Sequence, residues 1–139
     1  DKIEVNIKDK VISVRDYGQG FIPNSFRDDG KTILEAAFSV LNTSGKYRED
    51  GTYEGTSLGS FGIGSKLTNF LSHALCVSTC RDGKVESIEF EEGVFKERHT
   101  NNFKHFSDTK KSGTVVEWVP SEEFFTHPEV EINKIILLK

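Results

Sequence analysis

Leu75-Cys76-Val77-Ser78-Thr79-Cys80-Arg81-Asp82-Gly83-Lys84-Val85-Glu86-Ser87-Ile88-Glu89-Phe90 holds two apolar extended runs, residues 75–80 and 85–90, around the dipeptide Asp82-Gly83. Asp-Gly favours the positive φ angles of a two-residue β-hairpin turn. A connection this short cannot carry a crossover between parallel strands. Working outward, Ile3, Val5 and Ile7 alternate with Lys2, Glu4, Asn6 and Lys8, a period-2 strand. Asp9-Lys10 supplies a turn, and residues 11–15 return as a second strand. A further strand over 114–119 stops at Pro120.

Helical spacing of Ile33, Leu34, Ala37, Phe38 and Leu41 predicts a helix over 31–42 with one buried face. A second helix is expected over 65–72, a capped helical turn over 121–125 and a last helix from 129 to 138. Residues 43–58 are polar and glycine-containing, the pattern of a functional loop. The polar stretch 91–112 has no clear period, and Phe95, Phe103 and Phe106 are its expected anchors. Trp118 is expected in the core. The order of elements predicts an α+β fold: a two-layer sandwich whose mixed, mostly antiparallel sheet carries helices on one face. A doubly wound parallel sheet does not fit the short turns.

With 139 residues and 35% hydrophobic content the chain is expected to form one domain, 1–139, around one core. Its net charge is −4 and its only adjacent basic pair is Lys110-Lys111, which argues against a primary DNA-binding surface. No apolar run approaches the roughly 20 residues that span a bilayer. Cys76 and Cys80, on one strand face, would stand about 13 Å apart, beyond the roughly 7 Å reach of a disulfide. Reduced thiols suit a cytoplasmic location. The chain lacks methionine, starts at Asp1 inside a strand pattern and stops at Lys139 inside a helical one. It is therefore expected to be a fragment cut at both ends.

Two glycine-rich stretches carry the chemistry. In Asp16-Tyr17-Gly18-Gln19-Gly20-Phe21-Ile22-Pro23, Asp16 shares a strand face with Ile12 and Val14. A carboxylate there needs hydrogen-bond donors, and the exocyclic amino group of adenine is one. In Gly59-Ser60-Phe61-Gly62-Ile63-Gly64, glycines open onto a helix start, where backbone N–H groups can meet an anion. That loop is not a P-loop, because Ser65-Lys66 follow in the reverse order. Nor is it a Rossmann fingerprint, whose glycine order differs. Thr114, after Gly113, is placed to reach the same base, and Lys46 offers a cation. His73, His99, His105 and His127 are scattered and read as surface residues, so no catalytic triad or metal site is expected.

Asp16-x-Gly18-x-Gly20-x-Ile22-Pro23, Ser44-Gly45-Lys46-Tyr47, Gly59-x-x-Gly62-Ile63-Gly64, Asn69-x-Leu71-Ser72, Arg81-Asp82-Gly83-Lys84 and Gly113-Thr114-Val115 occur in this order along the chain. In this the chain resembles the N-terminal ATPase domain of bacterial type II DNA topoisomerases, the B subunit of DNA gyrase and its topoisomerase IV counterpart. Their fold is the Bergerat ATP-binding fold. The resemblance implies that Asp16 binds the adenine amino group with support from Thr114, and that Gly18, Gly20, Ile22 and Pro23 line the adenine pocket. It implies an ATP lid over 46–64, with Gly59, Ser60, Phe61, Gly62, Ile63 and Gly64 on the phosphates and Lys46 near the mouth.

The resemblance also implies ATP and Mg²⁺ as cofactors, a homodimer, a DNA-cleaving A-type subunit as partner, and DNA engaged through other domains. The general-base Glu and the Mg²⁺-holding Asn of the family lie on a helix before the first hairpin, and a lysine comes from the transducer domain that follows. None of these is within this chain, so the fragment alone is expected to be inactive as an ATPase. Gln19 stands where gyrases carry Arg, and Gly59-Ser60-Phe61-Gly62 departs from the usual Gly-Leu-His-Gly. The alternatives are a non-catalytic nucleotide-sensing module and a chaperone or mismatch-repair ATPase of the same fold.

Overall fold

The computed structural model describes residues 2–41 and 63–126. Ile3–Lys8 forms strand β1 and Val11–Asp16 forms β2, joined at Asp9, whose φ is 56°. Ile33–Ser39 forms helix α1, started by Thr32, whose hydroxyl accepts the Glu35 N–H at 3.2 Å. Gly64–Phe70 forms helix α2. Then come β3 (Ser72–Arg81), β4 (Lys84–Glu91), β5 (Val94–His99) and β6 (Gly113–Pro120). In the hairpin between β3 and β4, Asp82 and Gly83 have φ values of 52° and 75°, the doubly left-handed turn that Asp-Gly favours.

The strands lie in the order β1-β2-β6-β3-β4-β5, and every pairing among the described residues is antiparallel. The fold is α+β, with α1 packed on one face of the sheet and α2 docked on the end of α1. Alternation along the strands sends Leu75, Val77, Ile88 and Phe90 to that face, where they meet Leu34 and Phe38 of α1. Phe21, Ala37, Val116 and Trp118 complete this cluster. Each fully buried side chain of this size contributes about 1.5–3 kcal/mol. A smaller cluster of Cys80, Val85, Phe106 and Val115 packs on the other face. Among the described residues no helix is long and apolar enough to cross a membrane.

The structure differs from the sequence reading in three places. Helix α1 is shorter than 31–42, because Val40 turns to extended backbone (φ −114°, ψ 126°); Ile33 and Leu41 are left exposed. Residues 94–99, unassigned from sequence, form β5, paired to β4 through a turn at Glu92 and Gly93, both with positive φ. Of the three expected anchors in 91–112 only Phe106 is buried, while Phe95 and Phe103 stay largely exposed. Residues 121–125 form the expected capped turn: the Ser121 hydroxyl accepts the Glu123 N–H, and the Ser121 carbonyl accepts the Phe125 N–H at 3.1 Å. The expected loop over 43–58 and the helix over 129–138 lie outside the described residues.

Candidate functional site

Strand register places the inward side chains of the helix-covered face in transverse rows. Ile12, Trp118, Leu75 and Phe90 form one, and Val14, Val116, Val77 and Ile88 form the next. The third row, Asp16, Thr114, Thr79 and Glu86, is polar. Asp16 and Thr114 thus face each other directly on β2 and β6, as antiparallel partners do, about 5 Å apart. The polar row begins where the apolar core ends, and the chain from Gly18 to Phe26 passes over it.

That crossing segment is fastened at several backbone atoms. Gly18 N–H donates to Asp16 Oδ1 at 2.9 Å, and the Ser112 hydroxyl donates to the Gly18 carbonyl at 2.7 Å. Phe21 N–H donates to Thr79 Oγ1 at 2.9 Å, and Thr79 in turn donates to the Gly113 carbonyl at 3.2 Å. Asn24 N–H donates to Glu86 Oε2 at 2.7 Å. Two glycines make the close approach possible. At Gly20 (φ 70°) a Cβ would sit 2.6 Å from the Cys80 carbonyl oxygen, and at Gly113 (φ 150°) only 2.2 Å from that of Asp16. Both positions therefore exclude a side chain.

Of the residues singled out from sequence, the structure brings Asp16, Gly18, Gly20 and Thr114 to one place. Asp16 is half-buried, Thr114 and Pro23 are buried, and Ile22 is exposed. One Asp16 oxygen is held by Gly18, and a carboxylate keeps acceptor capacity beyond that bond. Its place at the margin of an apolar row suits a ligand with a planar apolar body and an N–H donor at its rim. Ile63 and Gly64 lie at the start of α2, which docks on α1. The Ser65 hydroxyl and the Lys66 ammonium both donate to the Ala37 carbonyl, at 2.7 and 3.0 Å, and Asn69 Nδ2 donates to that of Phe38 at 3.1 Å. Lys66 is almost fully buried, and burial pushes its ammonium pKa down. Lys46, Gly59, Ser60, Phe61 and Gly62 lie outside the described residues.

Thr79 and Glu86 were missed from sequence. Their signal was phase: Thr79 continues the inward series Leu75, Val77, and Glu86 the series Phe90, Ile88.

The face opposite the described helices has its own polar groups. Glu89, Glu97 and His99 bring one donor atom each within 4.8 Å of one another, at partly exposed positions. His105 Nδ1 lies 3.6 Å from Glu117 Oε1, and burial holds its imidazole pKa down despite that carboxylate. On the same face Cys76 is half-buried and Cys80 buried, both free thiols with pKa raised by burial. A concavity of about 360 Å³ lined by Val11, Cys76, Glu89, Lys96 and Glu117 among others is separate from the Asp16 row.

No protein-family model matches the chain. Individual proteins do. It is 36% identical over 127 residues to the B subunit of DNA topoisomerase 4 from Bacillus subtilis (strain 168), covering 91% of this chain and 18% of that protein. The segment is homologous to part of type II topoisomerase B subunits. The B subunit of DNA topoisomerase 4 from Mycoplasma capricolum is 34% identical over 128 residues, covering 92% of this chain and 19% of its own length. The B subunit of the type 2 topoisomerase from Aquifex aeolicus (strain VF5) is 32% identical over 128 residues, covering 91% and 15%. The chain thus spans a fifth or less of these three topoisomerase proteins.

Proposed function

We propose that residues 1–139 are part of the ATP-binding domain of a type II topoisomerase B subunit. The observation that carries this reading is the pairing of Asp16 with Thr114 at the margin of the apolar core, under a glycine turn closed onto it. Asp16 accepts the exocyclic amino group of adenine, Thr114 supports the same edge, and Gly18, Gly20, Ile22 and Pro23 line the pocket. Residues 59–64 give backbone donors to the phosphates, with Lys46 at the mouth. Mg²⁺ would neutralise charge on the phosphates, and none of the residues named above is assigned to hold it or to act as general base. In the intact homodimer, ATP binding closes a gate and hydrolysis resets it, while an A-type subunit cleaves the DNA that is passed.

The test is titration of the intact protein with a non-hydrolysable ATP analogue, beside Asp16→Asn. An Asn keeps an acceptor for Gly18 but loses the charge and turns an N–H donor towards the base. Losing a charge-assisted hydrogen bond predicts about 10- to 100-fold weaker binding. Equal affinity in the variant removes adenine recognition by Asp16.

A further inference from the structure

We propose that Glu86 is a positioning residue for the nucleotide site, holding the Gly20–Phe26 segment in place over the polar row through Asn24 and Arg98. This rests on the reading of the Asp16 row as the adenine site. Glu86 is wholly buried, at a position where the inward series Phe90, Ile88 would be continued by an apolar side chain. A buried carboxylate is costly unless it is paired, and a hydrophobic residue of similar volume would pack there at lower cost. What the anion supplies is direction.

Its Oε2 takes the Asn24 N–H at 2.7 Å. Arg98 comes from β5 to face it, with Nε 3.5 Å from Oε1, an ion pair in which neither of those two atoms forms a hydrogen bond. The guanidinium is oriented by other contacts: Nη2 donates to Asn24 Oδ1 at 3.1 Å, and the group lies 4.8 Å from the centre of the Phe26 ring. Asn24 is therefore gripped at its backbone by the anion and at its side chain by the cation, while its own φ is 57°, a left-handed backbone that Asn tolerates.

The geometry ties this grip to Asp16. Thr79 and Glu86 are cross-strand partners, and they hold Phe21 and Asn24 respectively, so the segment after Gly20 is fixed at two points three residues apart. Glu86 itself is three strand spacings from Asp16, about 14 Å, too far to touch the base that Asp16 would bind. It acts on the pocket wall. Loosening Asn24 leaves Phe21–Thr79 as the remaining tie near Ile22 and Pro23, and the wall over the adenine edge shifts.

The experiment measures ADP and GDP affinity of the intact protein by calorimetry, with thermal stability recorded alongside, for the parent, Glu86→Gln and Asn24→Gly. The parent is expected to prefer ADP. Glu86→Gln can still accept from Asn24 but leaves Arg98 without a counter-charge; ADP binding should weaken about tenfold with GDP binding unchanged, so the preference narrows by the same factor. Asn24→Gly keeps the left-handed backbone and removes only the Arg98 acceptor; a narrowing of about threefold is expected, and this variant decides the matter if Glu86→Gln does not fold. A merely structural role lowers stability but leaves the ADP-to-GDP ratio at the parent value, and that result overturns the proposal while sparing the reading of the site. A parent protein with no preference for ADP overturns the reading, and the proposal falls with it.

Discussion

The two faces of the sheet are made by the same strands in alternate phase, yet they treat polar groups in opposite ways. On the helix-covered face two rows are apolar from β2 to β4, and polarity on those strands is confined to the last row, where Asp16, Thr79 and Glu86 each hold a backbone N–H of the crossing segment. On the face opposite the described helices Cys76, Glu89 and Glu117 stand mid-sheet, and among the described residues an apolar cluster forms where Phe106 covers it. The difference is water. Where helices exclude it, each polar group needs a protein partner, and a partner fixes a geometry. Where water reaches the strands, charges are tolerated without being oriented.

The sharpest way to break this comparison is a pair of phenylalanines in edge-to-face contact. Phe90 and Phe95 are cross-strand partners with ring centres 6.5 Å apart, but Phe90 is buried in the helix-side cluster and Phe95 is 43% exposed. Phe90→Ala should cost about 3–5 kcal/mol by denaturant unfolding, and Phe95→Ala about 1 kcal/mol. Equal losses would mean that the helix layer does not set the core.

A smaller effect is expected at the two hydroxyls Ser78 and Ser87, buried mid-sheet and 2.8 Å apart. Ser78→Ala strands the Ser87 hydroxyl and should cost about 1 kcal/mol, whereas Ser87→Ala leaves Ser78 a weak partner in Cys76 Sγ at 4.0 Å and should cost less. The double change should cost less than the two single ones together; strict additivity in unfolding experiments would show that the pair does not act as a unit.

The smallest expected effect is a pH slope. Burial lowers the pKa of His105, so the unfolded chain takes up its proton first as pH falls. The sign follows: the contribution is present above the ordinary imidazole range and is lost as pH drops through it. Exposed His73 runs the other way, because its hydrogen bond to Glu92 raises its pKa and favours the fold at lower pH. His105→Gln should therefore flatten the fall in stability between about pH 7 and 5 relative to the parent. A steeper fall in the variant would reverse the assignment.

Much of this was legible in the chain. Asp82-Gly83 announced its hairpin, and the alternation of residues 3–15 announced another, because each rests on local turn chemistry. The position of Asp16 was legible twice over: its phase with Ile12 and Val14 puts it on their face, and the Asp-x-Gly spacing gives the turn bond to Gly18. Strand β5 was not, since Val94-Phe95-Lys96-Glu97-Arg98-His99 lies on a sheet edge with little to bury, and a register shift beside Phe90 breaks its period. Glu86 was hidden for another reason. Its partners Asn24 and Arg98 are distant in sequence, and a charged residue in a strand looks solvent-facing until the register is known.

The place of β6 in the sheet has a consequence for how the molecule is built. β1 with β2, and β3 with β4 and β5, are each local meanders that can close on their own turns, whereas β6 enters last in sequence and lies between them. Contacts that wait on such long loops are slow to form. On the ribosome, a nascent chain that has not yet emerged as far as Gly113 can have both meanders but no Thr114 opposite Asp16, so the polar row is assembled only when the two halves of the sheet are sewn together.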